Sequence, residues 1–150
     1  MLVLVFTAFV LIALTIFIHG VGTTSWLRFL IHRQEGASEQ FRPKKTISVL
    51  ISTAIVLITL HLIEIFVWAL AYLFVISDSN IQDLESAFYF STITFTTLGY
   101  GDITLSSDWR VLSGLEAIDG ILLIGWTTAF LFSVLQRAWN NPDDDNEKSN

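Results

Sequence analysis

The chain has 150 residues, 53% of them hydrophobic and only 15% charged, with a formal net charge of −6 and no cysteine. That apolar share exceeds the ~45–50% of ordinary soluble domains, and the acidic balance argues against nucleic acid as a partner. Without cysteine there are no disulfides, thiolate metal sites or cysteine nucleophiles.

The charges collect in three places: Arg28–Lys45, the Asp78–Glu85 stretch and a tail from Asp143. Long apolar runs separate them, the pattern by which an integral membrane protein keeps charge out of lipid. Leu2 to Ile18 is interrupted only by Thr7 and Thr15. It is short for a spanning helix, which needs ~20 residues. A cleaved signal peptide is the competing reading, but no basic residue precedes the run and no small-x-small cleavage site follows it. Residues 1–20 are therefore expected to be a retained transmembrane helix.

Residues 21–45 form a polar, basic connection carrying five of the eight Lys and Arg residues: Arg28, Arg33, Arg42, Lys44 and Lys45. Trp26, Leu27, Phe29, Leu30 and Ile31 within it make an amphipathic patch suited to the headgroup level. The positive-inside rule puts this connection in the cytoplasm, the amino terminus outside and the carboxyl terminus inside. Membrane lipids are the expected partners of these basic residues.

Residues 46–76 form a second apolar segment, long enough to tilt or protrude. His61 and Glu64, three apart, share one helical face within it. Ionisable groups at such depth are functional candidates by default. Mutual hydrogen bonding that only holds packing is the plainer alternative to proton sensing, and two such groups are too few for a metal site.

Asp83 suits the N-cap of a helix over residues 84–96. That helix is too short to cross the bilayer, so a re-entrant element is predicted. Such backbone is tolerated at membrane depth only where protein buries it or water lines it.

The helix leads into Thr96-Thr97-Leu98-Gly99-Tyr100-Gly101-Asp102. This heptad resembles the signature filter of potassium channels, with Leu98 where valine is more usual. A plain Gly-Tyr-Gly turn between helices is the bland alternative. Backbone carbonyls can replace the hydration shell of K+ only if they face one side. That requires alternating backbone handedness, and Gly99 and Gly101 enter the left-handed region at no steric cost. The resemblance implies a filter over residues 97–101. Its K+ ligands would be the carbonyls of Thr97, Leu98, Gly99 and Tyr100 and the Thr97 hydroxyl. Leu98 and Tyr100 would pack behind the filter, and Thr96, Asp102 and Tyr89 would support it. Relatives often pair a pore-helix glutamate with the aspartate after the filter. Here the matching position is Ile93, and Tyr89 is the candidate partner for Asp102 instead.

The third long apolar segment spans residues 110–139, with Trp109 as an interfacial anchor. Gly120 best matches the family's hinge glycine by distance from the filter, and Gly125 is the runner-up. Close helix packing is the alternative for both. Glu116 and Asp119 are a second pair of intramembrane acids on one face: Asp119 is a candidate cavity acid and Glu116 a candidate brace behind the filter. Residues 140–150 read as an acidic disordered tail.

The resemblance thus implies an all-α membrane protein: three transmembrane helices, a re-entrant pore helix and a filter loop, in a pore domain over residues 46–139. One loop supplies a quarter of a filter, so four copies would assemble as a homotetramer in the cell membrane. They would conduct K+ passively, with no cofactor beyond the permeant ion. A non-selective cation channel, a non-conducting subunit in a hetero-assembly and a membrane enzyme are the alternatives. The last lacks any convergent catalytic cluster beyond His61 and Glu64.

Overall fold

The computed structural model describes residues 2–34, 43–76, 78, 80–106 and 109–139. Most of the basic connection's middle and the acidic tail lie outside them. Among the described residues every regular element is helical: α1 (Leu2–Gln34), α2 (Pro43–Ala71) running into a π-helical turn (Tyr72–Ile76), α3 (Leu84–Phe95) and α4 (Arg110–Trp139). Three stretches, Leu2–His32, Ile47–Ile76 and Arg110–Arg137, are long and apolar enough to cross a membrane.

The helix α1 does not stop at residue 20. It runs on as one helix of 33 residues to Gln34, taking in the first part of the segment expected to be a polar connection, whose residues 35–42 lie outside the described ones. The polar side chains there have somewhere to go. Thr23 donates back to the His19 carbonyl at 2.7 Å, and Trp26 Nε1 donates to Thr53 of α2 at 3.0 Å. Satisfied hydroxyls of this kind cost a helix little, so composition misled where tertiary partners were present.

The helix α2 is central: it packs against α1, α3 and α4, and α1 also packs on α4. Trp68, Tyr72, Phe95, Leu112 and Leu123 are fully buried where these helices meet. Their outer faces, including Phe9, Phe17, Ile55, Ile58, Ile121 and Phe132, are exposed and apolar. Lipid is as apolar as leucine, so helix association there relies on close packing and interhelical hydrogen bonds rather than on water exclusion.

Four layers of polar contacts supply those bonds. Passing away from the glycine loop, they are Tyr72/Ser91/Glu116, Thr15/Trp68/Asp119, His19/His61/Glu64/Thr127 and Trp26/Thr53. The last three fasten α1 to the other helices.

Candidate functional site

The loop after α3 is positioned by the helix before it. Asp83 caps α3 in extended conformation (φ −141°, ψ 170°), and its carboxylate accepts from the Ser86 N–H at 2.7 Å. The Ser86 hydroxyl donates to the same carboxylate oxygen, and this bond together with the N–H bond lowers the Asp83 carboxyl from its ordinary value. The other end of α3 closes through Thr96 N–H to Thr92 O and Thr97 N–H to Thr94 O. Gly99 N–H then reaches back to Ile93 O at 2.9 Å, pinning the loop to the end of the helix.

Left-handed backbone recurs at every second residue of the loop: Thr97 (φ 60°), Gly99 (φ 50°) and Gly101 (φ 79°). For the two glycines this conformation is free of strain. For Thr97, which is β-branched, it is an outlier of a kind that clusters at functional sites. Sequence reasoning placed the glycines in this region and missed the threonine. Among the described residues the carbonyls of Thr97, Leu98, Gly99 and Tyr100 accept no backbone hydrogen bond outside the helices. All of Thr96–Asp102 is exposed on the single chain, with Leu98 at 55% and Tyr100 at 69%. Within one chain, then, the two side chains expected to pack behind the loop are more than half uncovered.

The structure brings Tyr89 and Asp102 together: the Tyr89 hydroxyl donates to Asp102 Oδ2 at 2.7 Å. This bond lowers the Asp102 pKa and raises that of Tyr89. A second clasp was not legible in the sequence. Asp78 is buried ahead of α3; it accepts from Asn80 N–H at 3.0 Å and from Ser106 N–H at 2.8 Å. Asn80 in turn donates to the Thr104 carbonyl at 2.9 Å. The segments before and after the loop are thereby tied to each other. Burial pushes the Asp78 carboxyl up, but these hydrogen bonds prevail and it lies below its ordinary range.

Glu116 is fully buried behind α3. Tyr72 donates to its Oε2 and Ser91 to its Oε1, each at 2.6 Å, so one carboxylate joins α4 to the π-helical turn and to α3. Asp119 is also buried, and its Oδ2 accepts from Thr15 at 2.7 Å and from Trp68 Nε1 at 3.0 Å. It faces α1 and α2 inside the subunit, which corrects the cavity placement: a carboxylate enclosed within one chain cannot line a space between chains.

Gly120 lies against the end of α3, where an added Cβ would come within 2.0 Å of the Phe95 carbonyl oxygen. Gly125 has open space around it. The helix α4 continues through both.

His61 and Glu64 are joined by a third group, His19 of α1, and the donor atoms of all three lie within 4.8 Å of one another. His19 is 45 residues away in sequence from Glu64, so spacing on one helix could not reveal it. An ionisable residue closing an apolar run was the available signal.

Residues 46–137 match the family model described as an ion channel. No curated protein and no solved structure matches the chain. The matched stretch takes in nearly all of α2, the π-helical turn, α3, the glycine loop and nearly all of α4, and it leaves α1 outside. With well over half of its residues inside that match and three helices fit to cross a bilayer, this integral membrane protein belongs to the ion-channel family.

Proposed function

We propose that the protein is a potassium-selective channel subunit that conducts K+ passively through a pore made by four identical copies. The observation that carries this reading is the left-handed backbone at Thr97, Gly99 and Gly101. Alternating handedness turns successive carbonyls to one side, and a ring of such oxygens substitutes for the water around K+. The ligands are the carbonyls of Thr97, Leu98, Gly99 and Tyr100, joined by the Thr97 hydroxyl. Ions shed water, occupy adjacent sites and displace one another along the row.

Three features support the assembly. One chain supplies one loop, and a closed ring of oxygens needs several. Leu98 and Tyr100 are exposed on the single chain, where neighbouring subunits would complete a cuff. The carboxyl end of α3 abuts the loop, and four such ends carry partial negative charge toward a common axis. On the positive-inside reading the loop opens to the outside of the cell membrane and the chain ends in the cytoplasm. The gate is a bend of α4 or an apolar constriction near Phe130–Leu135.

A non-selective cation channel would use the same scaffold, and an accessory subunit would conduct only with another channel. Vesicles holding the purified protein alone separate the three. K+ flux well above Na+ flux is expected, together with a four-subunit mass in native membranes. Gly101→Ala should abolish most of the flux, because a Cβ resists φ 79°. Unchanged flux in that variant, or a two-subunit mass, would sink the reading.

A further inference from the structure

The cluster around His19 closes into a ring of four hydrogen bonds. His19 Nδ1 meets Glu64 Oε1 at 2.8 Å, and His61 Nδ1 meets Glu64 Oε2 at 2.9 Å. On the other side both Nε2 atoms meet the Thr127 hydroxyl of α4, at 2.8 Å for His61 and 3.4 Å for His19. The imidazoles stack with centroids 5.3 Å apart and planes inclined by 30°. His19 and Glu64 are fully buried. Each side chain of the ring therefore spends both of its polar ends on the ring.

Four bonds in a closed ring need four hydrogens, one on each edge. A neutral imidazole carries one N–H, so two supply two, and the threonine hydroxyl supplies one. With Glu64 ionised the total is three. One edge is then left as two acceptors facing each other, and a net negative charge is buried, which is costly in lipid. One added proton completes the fourth edge and makes the ring neutral, whichever of the three titratable groups holds it.

We propose that His19, His61, Glu64 and Thr127 form a binding site for one dissociable proton, and that this proton fastens α1 to α4. Bound, it completes the path from His19 through Thr127 to His61. Released, it breaks one edge and leaves an unpaired charge among three helices. The other groups facing the ring favour retention. Asp119 on α4, whose carboxylate accepts from Thr15 one helical turn before His19, is the acid of the neighbouring layer, and its Oδ1 is buried with no hydrogen-bond partner among the described residues. The helix α3 presents the Phe95 ring, 5.8 Å from that of His61, and α4 adds the Trp126 edge on His19. Phe95 ends α3, so the ring adjoins the base of the helix that positions the glycine loop.

The test is Glu64→Gln. A carboxamide brings a permanent N–H, so the ring closes with four hydrogens and needs no dissociable proton. Its second N–H is a cost that does not vary with pH, so the slope is read rather than the level. Thermal midpoints of the full chain in detergent would be measured from about pH 7 to about pH 9.5, where histidines of an unfolded chain are neutral. A folded state that binds the extra proton loses stability as pH rises. The wild-type midpoint should fall over this window more steeply than that of Glu64→Gln, the difference between the two slopes reporting the ring's proton. Thr127→Val removes two edges and with them the hydrogen-bond demand for a fourth hydrogen, so its slope should be shallower than that of wild type. Thr127→Ser keeps the ring and should restore the wild-type slope.

Parallel slopes in wild type and Glu64→Gln would overturn the proposal. So would near-stoichiometric zinc in elemental analysis of the purified protein, since a metal on these nitrogens displaces the proton. The coupling to conduction rests on the channel reading and is scored separately. K+ flux from vesicles should fall with pH in wild type and not in Glu64→Gln, and equal profiles would refute that coupling. Absence of flux in both at every pH would count against the channel reading, while the stability slopes still decide the proton.

Discussion

Gly120 touches the end of α3 so closely that a methyl group there would stand 2.0 Å from the Phe95 carbonyl oxygen and 2.8 Å from its carbon. Backbone cannot yield as a side-chain tip can, so this glycine is where α4 and α3 meet main chain to main chain. Gly120→Ala should therefore lower stability by about 1–3 kcal/mol, the usual cost of overpacking. Gly125→Ala, with nothing within 4 Å, should leave the thermal midpoint nearly unchanged. Should Gly120→Ala keep wild-type stability and change only the flux, a hinge would be the better description of this residue.

Glu116 accepts one hydrogen bond from each of two other elements, so its partners should be energetically coupled. Tyr72→Phe and Ser91→Ala each leave a buried carboxylate oxygen short of a donor, at about 1–3 kcal/mol apiece. The double variant should lose measurably less or more than the sum, since residues in one network do not add. Strict additivity in a double-mutant cycle on thermal unfolding would dissolve the brace.

The Tyr89–Asp102 bond gives a pH signature on the loop side. Asp102 lies below its ordinary carboxylate range because of the Tyr89 hydroxyl. A carboxyl lowered in the folded state adds stability that is present above the unfolded value and is lost as pH falls through the folded one. Wild type should therefore lose more stability than Tyr89→Phe between about pH 5 and about pH 3. Identical acid profiles would show that the bond contributes nothing in solution.

Asp119 should tolerate asparagine better than leucine. The carboxamide oxygen can still accept from Thr15 and Trp68, whereas leucine leaves the buried Trp68 N–H unpaired and returns the Thr15 hydroxyl to the Leu11 and Ile12 carbonyls of its own helix. Asp119→Leu should cost about 1–3 kcal/mol beyond Asp119→Asn. Limited proteolysis should then release α1 first, because that layer is one of the three that hold it. Release of α1 at the same rate in both variants would remove Asp119 from its attachment.

Much of the molecule could be read directly. Three long apolar runs and one short one give a helical membrane protein because lipid accepts only backbone that satisfies itself. Asp83 marked the start of α3, since a carboxylate three residues before a free N–H is a local device, closed here on Ser86. Gly99 and Gly101 announced left-handed backbone for an equally local reason, the missing Cβ. The length of α1 was misread because Thr23 and Trp26 look like a polar connection until their partners, the His19 carbonyl and Thr53, are known.

What only the tertiary structure decided is which polar side chains meet. His61 and Glu64 share a face by spacing, but His19 and Thr127 join them from helices far away in sequence. Asp119 looked like a cavity acid until it was found between Thr15 and Trp68. Left-handed φ at Thr97 goes against its own preference and is imposed by the loop around it. Sequence periodicity fixes the face a residue occupies on its own helix. The partner across from that face depends on how helices cross, a matter settled jointly by side chains that no local pattern contains.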